Sequence, residues 1–469
     1  MKNRQTTPIG VVASGATREG MTFYAQNRIL TDHVCVYENE TRTIFEVLRE
    51  TVRNDRLMEA DMVRFISPED DYRRYNVYIG EAAPVACLRK NGRAYQDPYA
   101  IAAPGAWVYQ AEKKDLARVY DIAPGKGREK IGTLLREKNV DVYLDLKQLL
   151  RSQVHLAVVG RTGAGKSWFV QHILERLPMR CIVFSPTDEY DALRMDHETR
   201  RKDDIVLPLD IDIAKRIFDL NASERSYLQQ FLKGGMEYRT YTSEELAQEI
   251  GSYCLRVALS KKPNQQMSLL SSPEQDALPQ YAASLCRKIE NEDCSFQKHD
   301  AKTGEEQVSV VYDLQGCRRT EEERIIYSTL FPIFEKRKEL FNSAGQDNME
   351  DIVIVLEEAQ NYAPSNRSTL CKDLLVDIAR TGRKYGMHIL LLSQRPRYID
   401  QTILSQCGGG VFFHLPNPED VDYVMNSVSL ERSAPFKRMI QNFGTGECIF
   451  LRAEKTSLDL LCKISASWN

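Results

Sequence analysis

The stretch Gly160-Arg161-Thr162-Gly163-Ala164-Gly165-Lys166-Ser167 decides the fold of this 469-residue chain. An apolar, strand-like run at residues 154–159 precedes it, and residues 169–177 follow it with apolar side chains at helical spacing. A strand, a glycine-rich loop and a helix in this order predict a phosphate-binding loop. Glycines let backbone N–H groups wrap around a phosphate without interference from Cβ atoms, and the helix N-terminus adds a favourable dipole.

The loop predicts that the chain binds ATP with Mg²⁺. Lys166 is expected to contact the β- and γ-phosphates, and Ser167 is expected to hold Mg²⁺. The alternative, a glycine-rich turn beside a surface lysine, does not account for the strand and the helix that flank the loop. The candidate nucleotide-binding residues are the loop and the residue after it: Gly160, Arg161, Thr162, Gly163, Ala164, Gly165, Lys166, Ser167 and Trp168.

An acidic pair ends a second apolar run. Residues 352–356 have the pattern of a buried strand, and Glu357 and Glu358 follow it directly. A nucleotide hydrolase needs one acid near Mg²⁺ and a carboxylate that orients or deprotonates the attacking water, both beside the phosphate-binding loop. Glu357 is therefore the candidate metal ligand and Glu358 the candidate catalytic base. The alternative is a pair of exposed glutamates that open a helix.

An amide ends a third apolar run. Residues 388–392 lead into Ser393 and Gln394. Open α/β sheets bind their ligands at the carboxyl ends of the strands, so Gln394 is expected to sense the γ-phosphate or to position the attacking water. Because many strands end in a polar turn, the role predicted for Gln394 depends on the presence of the phosphate-binding loop and the acidic pair.

The remaining sequence indicates a layered α/β core with two additions. Short β-rich runs between Gly, Asn, Asp and Pro turns predict a small barrel or sandwich, which ends at a Gly- and Lys-rich linker. Apolar strands then alternate with amphipathic helices, except for a helical insertion at about 211–305 with capping boxes at 242–245 and 272–275. We therefore predict a β-barrel over residues 1–125 and an ATPase domain over residues 126–469.

The composition excludes several other classes of protein. With 63 basic and 66 acidic residues the net charge is −3, so the chain is not a histone-like polycation, and any nucleic-acid contact must come from a local patch. The apolar runs are far shorter than the roughly 20 residues that cross a bilayer, and the apolar run at residues 9–13 is too brief for a secretion signal, so we expect none. We expect a soluble, cytoplasmic protein without a membrane partner. The 11 cysteines include no CxxC pair, and we expect reduced thiols in the core.

Several stretches resemble the HerA-type ATPases of the HerA and FtsK superfamily. They are residues 357–364 (EEAQNYAP), 378–386 (IARTGRKYG), 392–396 (LSQRP) with 404–407 (LSQC), and 444–450 (GTGECIF). The resemblance runs from about residue 139 to the end of the chain. It implies a RecA-like P-loop core, an N-terminal β-barrel of the HerA type, and a homo-oligomer, a hexameric ring that moves double-stranded DNA through its channel by hydrolysing ATP.

The resemblance also implies a catalytic arginine that acts in trans. In such rings an arginine of one subunit completes the site of its neighbour by stabilising charge on the transferring phosphoryl group. Arg380 and Arg383 match the positions where the family keeps arginines after the acidic strand, so they are the candidates. The alternative for each is a helix-surface arginine that pairs with Asp373 or Asp377.

A basic stretch is the candidate contact with double-stranded DNA. Residues 361–400 contain seven basic and three acidic residues, a local balance of +4. Repeated around a ring, one or two such side chains per subunit would hold the phosphate backbone without reading the base sequence. Ordinary solvated charge is the alternative for each of them. The basic residues are Arg367, Lys372, Arg380, Arg383, Lys384, Arg395 and Arg397.

A protein partner is the last implication of the resemblance. It would be a NurA-like nuclease in DNA end processing, or a defence effector such as a sirtuin-type NADase in antiviral defence. Two other functions stay open. The chain could be a nucleotide-binding scaffold or regulatory subunit of a defence complex, with the barrel as its docking surface and little translocation. It could also be a coupling ATPase of a secretion or conjugation machine, although those commonly carry membrane-spanning helices.

Three positions depart from the family pattern. Glu357 stands where the family usually has aspartate, which affects the geometry of the metal site. His155 follows Val154 where the family often has arginine, unless Arg151 substitutes for it. Residues 185–190 (SPTDEY) end the second strand of the core, where the family has aspartate followed by Gly-Glu-Tyr. Each departure can slow ATP turnover, but none removes a core ATPase group.

Overall fold

The structure is a computed structural model, and the residues that it describes fall into two compact units. One unit comprises residues 1–146 with 446–469, and the other comprises residues 147–445. The predicted division of the chain at residue 125 stays a prediction. The described residues are 7–13, 16–17, 20–38, 41–53, 76–89, 94–95, 101–135, 137, 139–153, 155–237, 239–261, 280–292, 294–298, 308–345, 349–427, 434–451 and 460–464.

Strands dominate the start of the chain, and strands alternate with helices after it. The strands are β1 (Gly10–Val12), β2 (Met21–Ala25), β3 (His33–Glu38), β4 (Thr41–Arg53), β5 (Val77–Leu88), β6 (Ala94–Tyr95), β7 (Trp107–Gln110), β8 (Glu129–Leu134), β9 (Asp141–Leu144), β10 (Leu156–Val159), β11 (Arg180–Ser185), β12 (His197–Arg200), β13 (Val206–Leu209), β14 (Thr240–Thr242), β15 (Ser295–Lys298), β16 (Ser309–Asp313), β17 (Ile352–Leu356), β18 (Met387–Ser393), β19 (Gly409–Phe412), β20 (Glu447–Leu451) and β21 (Leu460–Ile464). The helices are α1 (Lys113–Val119), α2 (Leu146–Gln153), α3 (Lys166–Leu174), α4 (Ile211–Ile217), α5 (Ala222–Gly234), α6 (Ser243–Lys261), α7 (Gln280–Glu290), α8 (Arg319–Ala344), α9 (Lys372–Thr381), α10 (Gln401–Gln406), α11 (Pro418–Ser427) and α12 (Ala434–Ile440). Among the described residues, no helix combines the length and the apolar character that a membrane span requires.

The first unit contains a closed β-barrel. Its strands follow the order β2-β1-β7-β3-β4-β5, and the pairing of β2 with β5 closes the sheet. Side chains alternate between the two faces of each strand, and buried residues that include Phe23, Val34, Phe45 and Val108 form one apolar cluster. The predicted barrel is confirmed. The same unit contains antiparallel pairs of β8 with β9, β21 with β8, and β20 with β21.

The second unit is built on a parallel sheet, which confirms the predicted α/β core. Its strands follow the order β12-β16-β11-β17-β18-β10-β19. All residues of β10, β17 and β18 are buried, as expected of parallel strands that are covered on both faces. In this order β17 lies between β11 and β18, and β18 lies between β17 and β10. The carboxyl ends of these four strands therefore meet at one edge of the sheet.

Residues 206–298 interrupt the parallel sheet. Helices α4 to α7 pack around a small sheet in the order β13-β15-β14, and buried residues such as Leu228 and Phe296 belong to the main apolar cluster. The sequence predicted the helices but missed the sheet, because β14 spans only three residues and is too short to show an alternating pattern. The capping box at 242–245 forms as predicted. The box predicted at 272–275 lies outside the described residues.

Candidate nucleotide-binding site

The glycine-rich loop connects β10 to α3 at the carboxyl edge of the sheet. β10 is held between β18 and β19, so the loop starts from a buried strand that is paired on both sides. Gly165 has a φ of 110°, a conformation that side chains with a Cβ rarely adopt. A Cβ on Gly160 would lie 2.6 Å from the Cβ of Phe413. The backbone conformation and the packing both require glycine at these positions.

Lys166 lies buried inside the loop. Its side chain is 8% exposed, and its Nζ donates a hydrogen bond to the backbone oxygen of Arg161 at 3.2 Å. Burial lowers the pKa of Lys166, and the charges of Glu358, Glu357 and Glu189 act to raise it. A polyphosphate would bring negative charge to this buried ammonium group, and the N-terminus of α3 would add its dipole. The loop therefore fits the phosphates of a nucleoside triphosphate.

The other predicted loop residues differ in exposure. Arg161 and Thr162 are exposed, whereas Ala164 is buried. Trp168 is half-buried, and its ring stacks on His172 with the two ring centroids 5.6 Å apart and the planes nearly parallel. The stack fixes the orientation of the Trp168 ring on the first turn of α3, beside the loop. Its contact with a nucleotide stays a prediction.

The carboxylate of Glu357 is surrounded by hydroxyl groups. Ser167 and Tyr190 donate hydrogen bonds to its Oε1, both at 3.1 Å. Ser185 and Thr187 donate to its Oε2 at 2.6 and 3.1 Å. Burial raises the pKa of Glu357, and the hydroxyl hydrogen bonds act in the opposite direction. A serine hydroxyl and a carboxylate lie side by side here, and both are oxygen ligands of the kind that Mg²⁺ prefers, so Ser167 and Glu357 fit a magnesium site. Their role as its ligands stays a prediction.

The sequence did not predict that three of these hydroxyl groups belong to the site. Ser185 is the last residue of β11, and Thr187 and Tyr190 follow it. Phe184 of β11 pairs with Leu356 of β17 in the parallel register. Because β11 and β17 are neighbours, the three hydroxyl groups lie beside the end of β17. The sequence shows residues 185–190 only as a departure from a family pattern. Their contact with Glu357 depends on the order of strands in the sheet, which the sequence does not reveal.

Glu358 and Gln394 come together at the ends of neighbouring strands. The Nε2 of Gln394 donates a hydrogen bond to Oε1 of Glu358 at 2.5 Å, and the Oε1 of Gln394 accepts one from Thr162 at 2.6 Å. Glu358 leaves β17 with a φ of 49°, a left-handed conformation that is uncommon for residues other than glycine. Such outliers cluster at functional sites. The loop, the acidic strand end and the amide therefore form one polar cluster.

Arg380 and Arg383 lie at the opposite edge of the same sheet. Arg380 is in the last turn of α9, and Arg383 is in the turn that leads into β18. β18 then runs for seven residues, about 20 Å, before it reaches Gln394. Both arginines are exposed, and within the described residues Arg380 makes no ion pair with Asp373 or Asp377. Neither arginine reaches the glycine-rich loop of its own chain.

Other members of the basic stretch have partners in the chain. Lys372 pairs with Asp400 at 3.0 Å, and Arg397 pairs with Glu419. Arg367 lies 4.0 Å from a carboxylate oxygen of Glu323. The side chains of Lys384 and Arg395 are exposed. The exposed members of the stretch, rather than the whole stretch, are the better candidates for DNA contact.

A buried histidine joins β10 to the segment that carries the two arginines. His155 Nε2 lies 2.9 Å from the backbone oxygen of Ala379, and its Nδ1 accepts a hydrogen bond from the backbone N–H of Ile389. Burial lowers the pKa of His155 to about 4. Arg151, the candidate substitute for the arginine missing beside His155, instead pairs with Asp351 at 2.5 Å.

Comparison with known proteins assigns the family. The family model described as "Helicase HerA, central domain" matches residues 129–366, which is 238 of the 469 residues. A probable helicase of Methanocaldococcus jannaschii, MJ1565, is 26% identical over 78% of this chain and 71% of its own length. The DNA double-strand break repair helicase HerA of Saccharolobus solfataricus is 24% identical over 94% of this chain and 89% of its own length. Among solved structures, VirB4 of Thermoanaerobacter pseudethanolicus aligns with 74% of this chain and 98% of its own, at 18% identity and a TM-score of 0.44. The chain belongs to the HerA helicase family, and it is a P-loop ATPase.

Proposed function

We propose that this ATPase binds ATP with Mg²⁺ and uses hydrolysis to move double-stranded DNA through a ring of its own copies. One observation carries the proposal: the phosphate loop with Glu357, Glu358 and Gln394 lies at one edge of the sheet, and Arg380 and Arg383 lie at the other. Within a single chain, neither of these two arginines reaches the phosphate loop. Head-to-tail packing of identical subunits brings the two edges together, and a closed head-to-tail array is a ring.

Each side chain of the site has a defined task in this mechanism. Lys166 binds the β- and γ-phosphates, and Ser167 and Glu357 would hold Mg²⁺, which when bound supplies positive charge to the same phosphates. Glu358 orients the attacking water and accepts its proton, while Gln394 holds Glu358 in place beside the loop. An arginine of the neighbouring subunit, Arg380 or Arg383, stabilises the charge that builds on the transferring phosphoryl group.

Two features support DNA as the substrate that is moved. The relatives are named as helicases, and one of them as a DNA double-strand break repair helicase. In this chain Arg383, Lys384 and Arg395 are exposed, and a ring would repeat them around its channel. Six subunits is the number that we propose, and a NurA-like nuclease or a defence effector such as a sirtuin-type NADase is the proposed protein partner. DNA end processing or antiviral defence would be the setting.

A second candidate function is a nucleotide-binding scaffold that docks a partner enzyme and translocates little. The barrel supports it. Val11 pairs with both Tyr24 and Trp107, so these two aromatic side chains lie on one face across three strands, and they are 50% and 56% exposed. Exposed aromatic side chains at neighbouring positions are typical of protein interfaces.

The experiment that separates the two functions measures ATP hydrolysis by the purified chain with and without linear duplex DNA. A motor is expected to hydrolyse ATP several-fold faster when duplex DNA is added, and sedimentation with ATP is expected to show six copies per particle. A scaffold is expected to show a rate that duplex DNA does not change. A monomer at all protein concentrations would contradict the ring, because the site would then lack its arginine.

A further inference from the structure

We propose that Gln360 and Ser393 are positioning residues for ATP hydrolysis. They fix one carboxylate oxygen of Glu358 relative to the buried sheet, while Gln394 links the other oxygen to the phosphate loop. The proposal rests on the proposed role of Glu358 as the group that activates water. Neither side chain is hydrogen-bonded to the loop. They act through the carboxylate of Glu358.

Both oxygens of Glu358 accept an amide hydrogen bond. Gln360 Nε2 donates to Oε2 at 2.5 Å, and Gln394 Nε2 donates to Oε1. An ionised carboxylate has about four positions that accept hydrogen bonds, so two remain for the attacking water. The two amides therefore determine the direction of the carboxylate without blocking it.

Ser393 sets the orientation of the Gln360 amide. The hydroxyl of Ser393 accepts a hydrogen bond from the backbone N–H of Arg395 at 3.0 Å and donates to Oε1 of Gln360 at 2.7 Å. Because the carbonyl oxygen of Gln360 faces this donor, its NH₂ group faces Glu358. Ser393 itself is 0% exposed at the end of β18, where its backbone oxygen accepts the N–H of Gly160.

The two amide hydrogen bonds to Glu358 connect it to different parts of the site. Gln360 leads through Ser393 to β18, whose residues are all buried between neighbouring strands. Gln394 leads to Thr162, an exposed residue of the loop that the phosphates contact. The NH₂ group of Gln394 has a second N–H beyond the one that donates to Glu358, and this N–H can donate to a phosphate oxygen when ATP binds, while Gln360 keeps Glu358 directed at the water. The loss of Gln360 should affect the chemical step more than the binding of ATP.

The test compares Gln360→Met, which keeps the length of the side chain but removes its hydrogen bonds, with Ser393→Ala. Gln230→Met, at an exposed position of α5, is the matched control. Gln360→Met is expected to lower kcat by roughly 10- to 100-fold, as misplacement of a catalytic group does, with KM and the calorimetric Kd for ATP within twofold of the wild type. Ser393→Ala is expected to lower kcat in the same way but less. The double variant is expected to be no slower than Gln360→Met, because both act through one carboxylate.

Three results would overturn the proposal. One is a wild-type kcat in both variants while the wild type is active. Another is a loss of ATP binding in parallel with kcat, which would indicate a structural role. The third is a double variant whose loss is the product of the single losses. If Gln360→Met lowers the melting temperature, Ser393→Ala decides by the same criteria. A wild type that does not hydrolyse ATP would instead reject the ATPase assignment on which the proposal rests.

Discussion

The hydroxyl of Ser167, at the start of α3, donates a hydrogen bond to the carboxylate of Glu357 at the end of β17, although 190 residues separate them in the chain. This contact joins the phosphate loop to the acidic strand end. It places the two proposed ligands of Mg²⁺ at hydrogen-bonding distance before the ion binds. If both groups bind the ion, a change to either of them should alter the Mg²⁺ concentration that hydrolysis requires.

Glu357→Gln should weaken the binding of Mg²⁺. The variant keeps the shape of the side chain but removes the charge that attracts the ion. Mutation of a residue that only hydrogen-bonds a metal ligand typically costs about 10- to 100-fold in metal affinity, and the loss of a direct ligand should cost at least as much. Titration of Mg²⁺ at saturating ATP measures the half-maximal concentration for hydrolysis. Equal half-maximal concentrations in the variant and the wild type would show that Glu357 does not contact the ion.

Arg380→Ala and Arg383→Ala test the arginine in trans. Removal of the acting arginine should slow hydrolysis by a factor on the order of 10³, because it stabilises transition-state charge. Neither variant should change ATP affinity much, since both residues lie about 20 Å from the glycine-rich loop of their own chain. The steady-state rate and the Kd for ATP measure the two effects.

A mixing experiment then tells whether the arginine acts between subunits. Lys166→Ala subunits have intact arginines but an inactive ATP site, and subunits without the arginine have an intact phosphate loop. Mixed rings should regain part of the activity that both pure variants lack. Mixtures that stay as inactive as the pure variants, while assembling into rings, would show that the arginine does not act in trans.

Gly160→Ala should destabilise the second unit. The new methyl group would lie 2.6 Å from the Cβ of Phe413, and overpacking of this kind typically lowers the free energy of unfolding by about 1–3 kcal/mol. Thermal unfolding measures the loss. Gly125→Ala is the control, because its new methyl group would meet only the flexible side chain of Arg128. Equal melting temperatures for the two variants would contradict the packing beside the loop.

Acid should destabilise the fold through His155. Its pKa in the folded chain is about 4, below the ordinary 6.5, so between these values the unfolded chain binds more protons than the folded chain. The contribution of His155 is therefore fully present above pH 6.5 and is lost as the pH falls towards 4, by about 3 kcal/mol in total. Urea unfolding from pH 7 to pH 4 measures it. His155→Gln should reduce the slope, and identical slopes in both proteins would contradict the prediction.

The parts of the site that lie close together in the chain could be predicted from the sequence. The loop from Gly160 to Ser167 and the pair Glu357 and Glu358 each have a local pattern, an apolar strand followed by a characteristic turn. Gln394 was predicted for the same reason, because it also ends an apolar run. These local patterns depend only on residues that are neighbours in sequence, and the structure brings all three strand ends to one edge.

The contacts that the sequence did not reveal depend on strand order or on a single turn. Tyr190 reaches Glu357 only because β11 lies beside β17. Gln360 reaches Glu358 across a turn in which Glu358 itself has a left-handed φ of 49°. A glutamate in the sequence gives no indication of this conformation. The pairing of β8 with β21 joins segments that are far apart in the chain, so no local pattern indicates it.

The central claim is that ATP is held by the loop around Lys166 and cleaved beside Glu358. Single-turnover hydrolysis and ATP binding, measured together on the wild type, Lys166→Ala and Glu358→Gln, test it most directly. The wild type should bind and cleave ATP, Lys166→Ala should lose binding, and Glu358→Gln should bind ATP normally but cleave it about 100-fold more slowly or worse. Cleavage by Glu358→Gln at the wild-type rate, or a wild type that does not bind ATP, would contradict the claim.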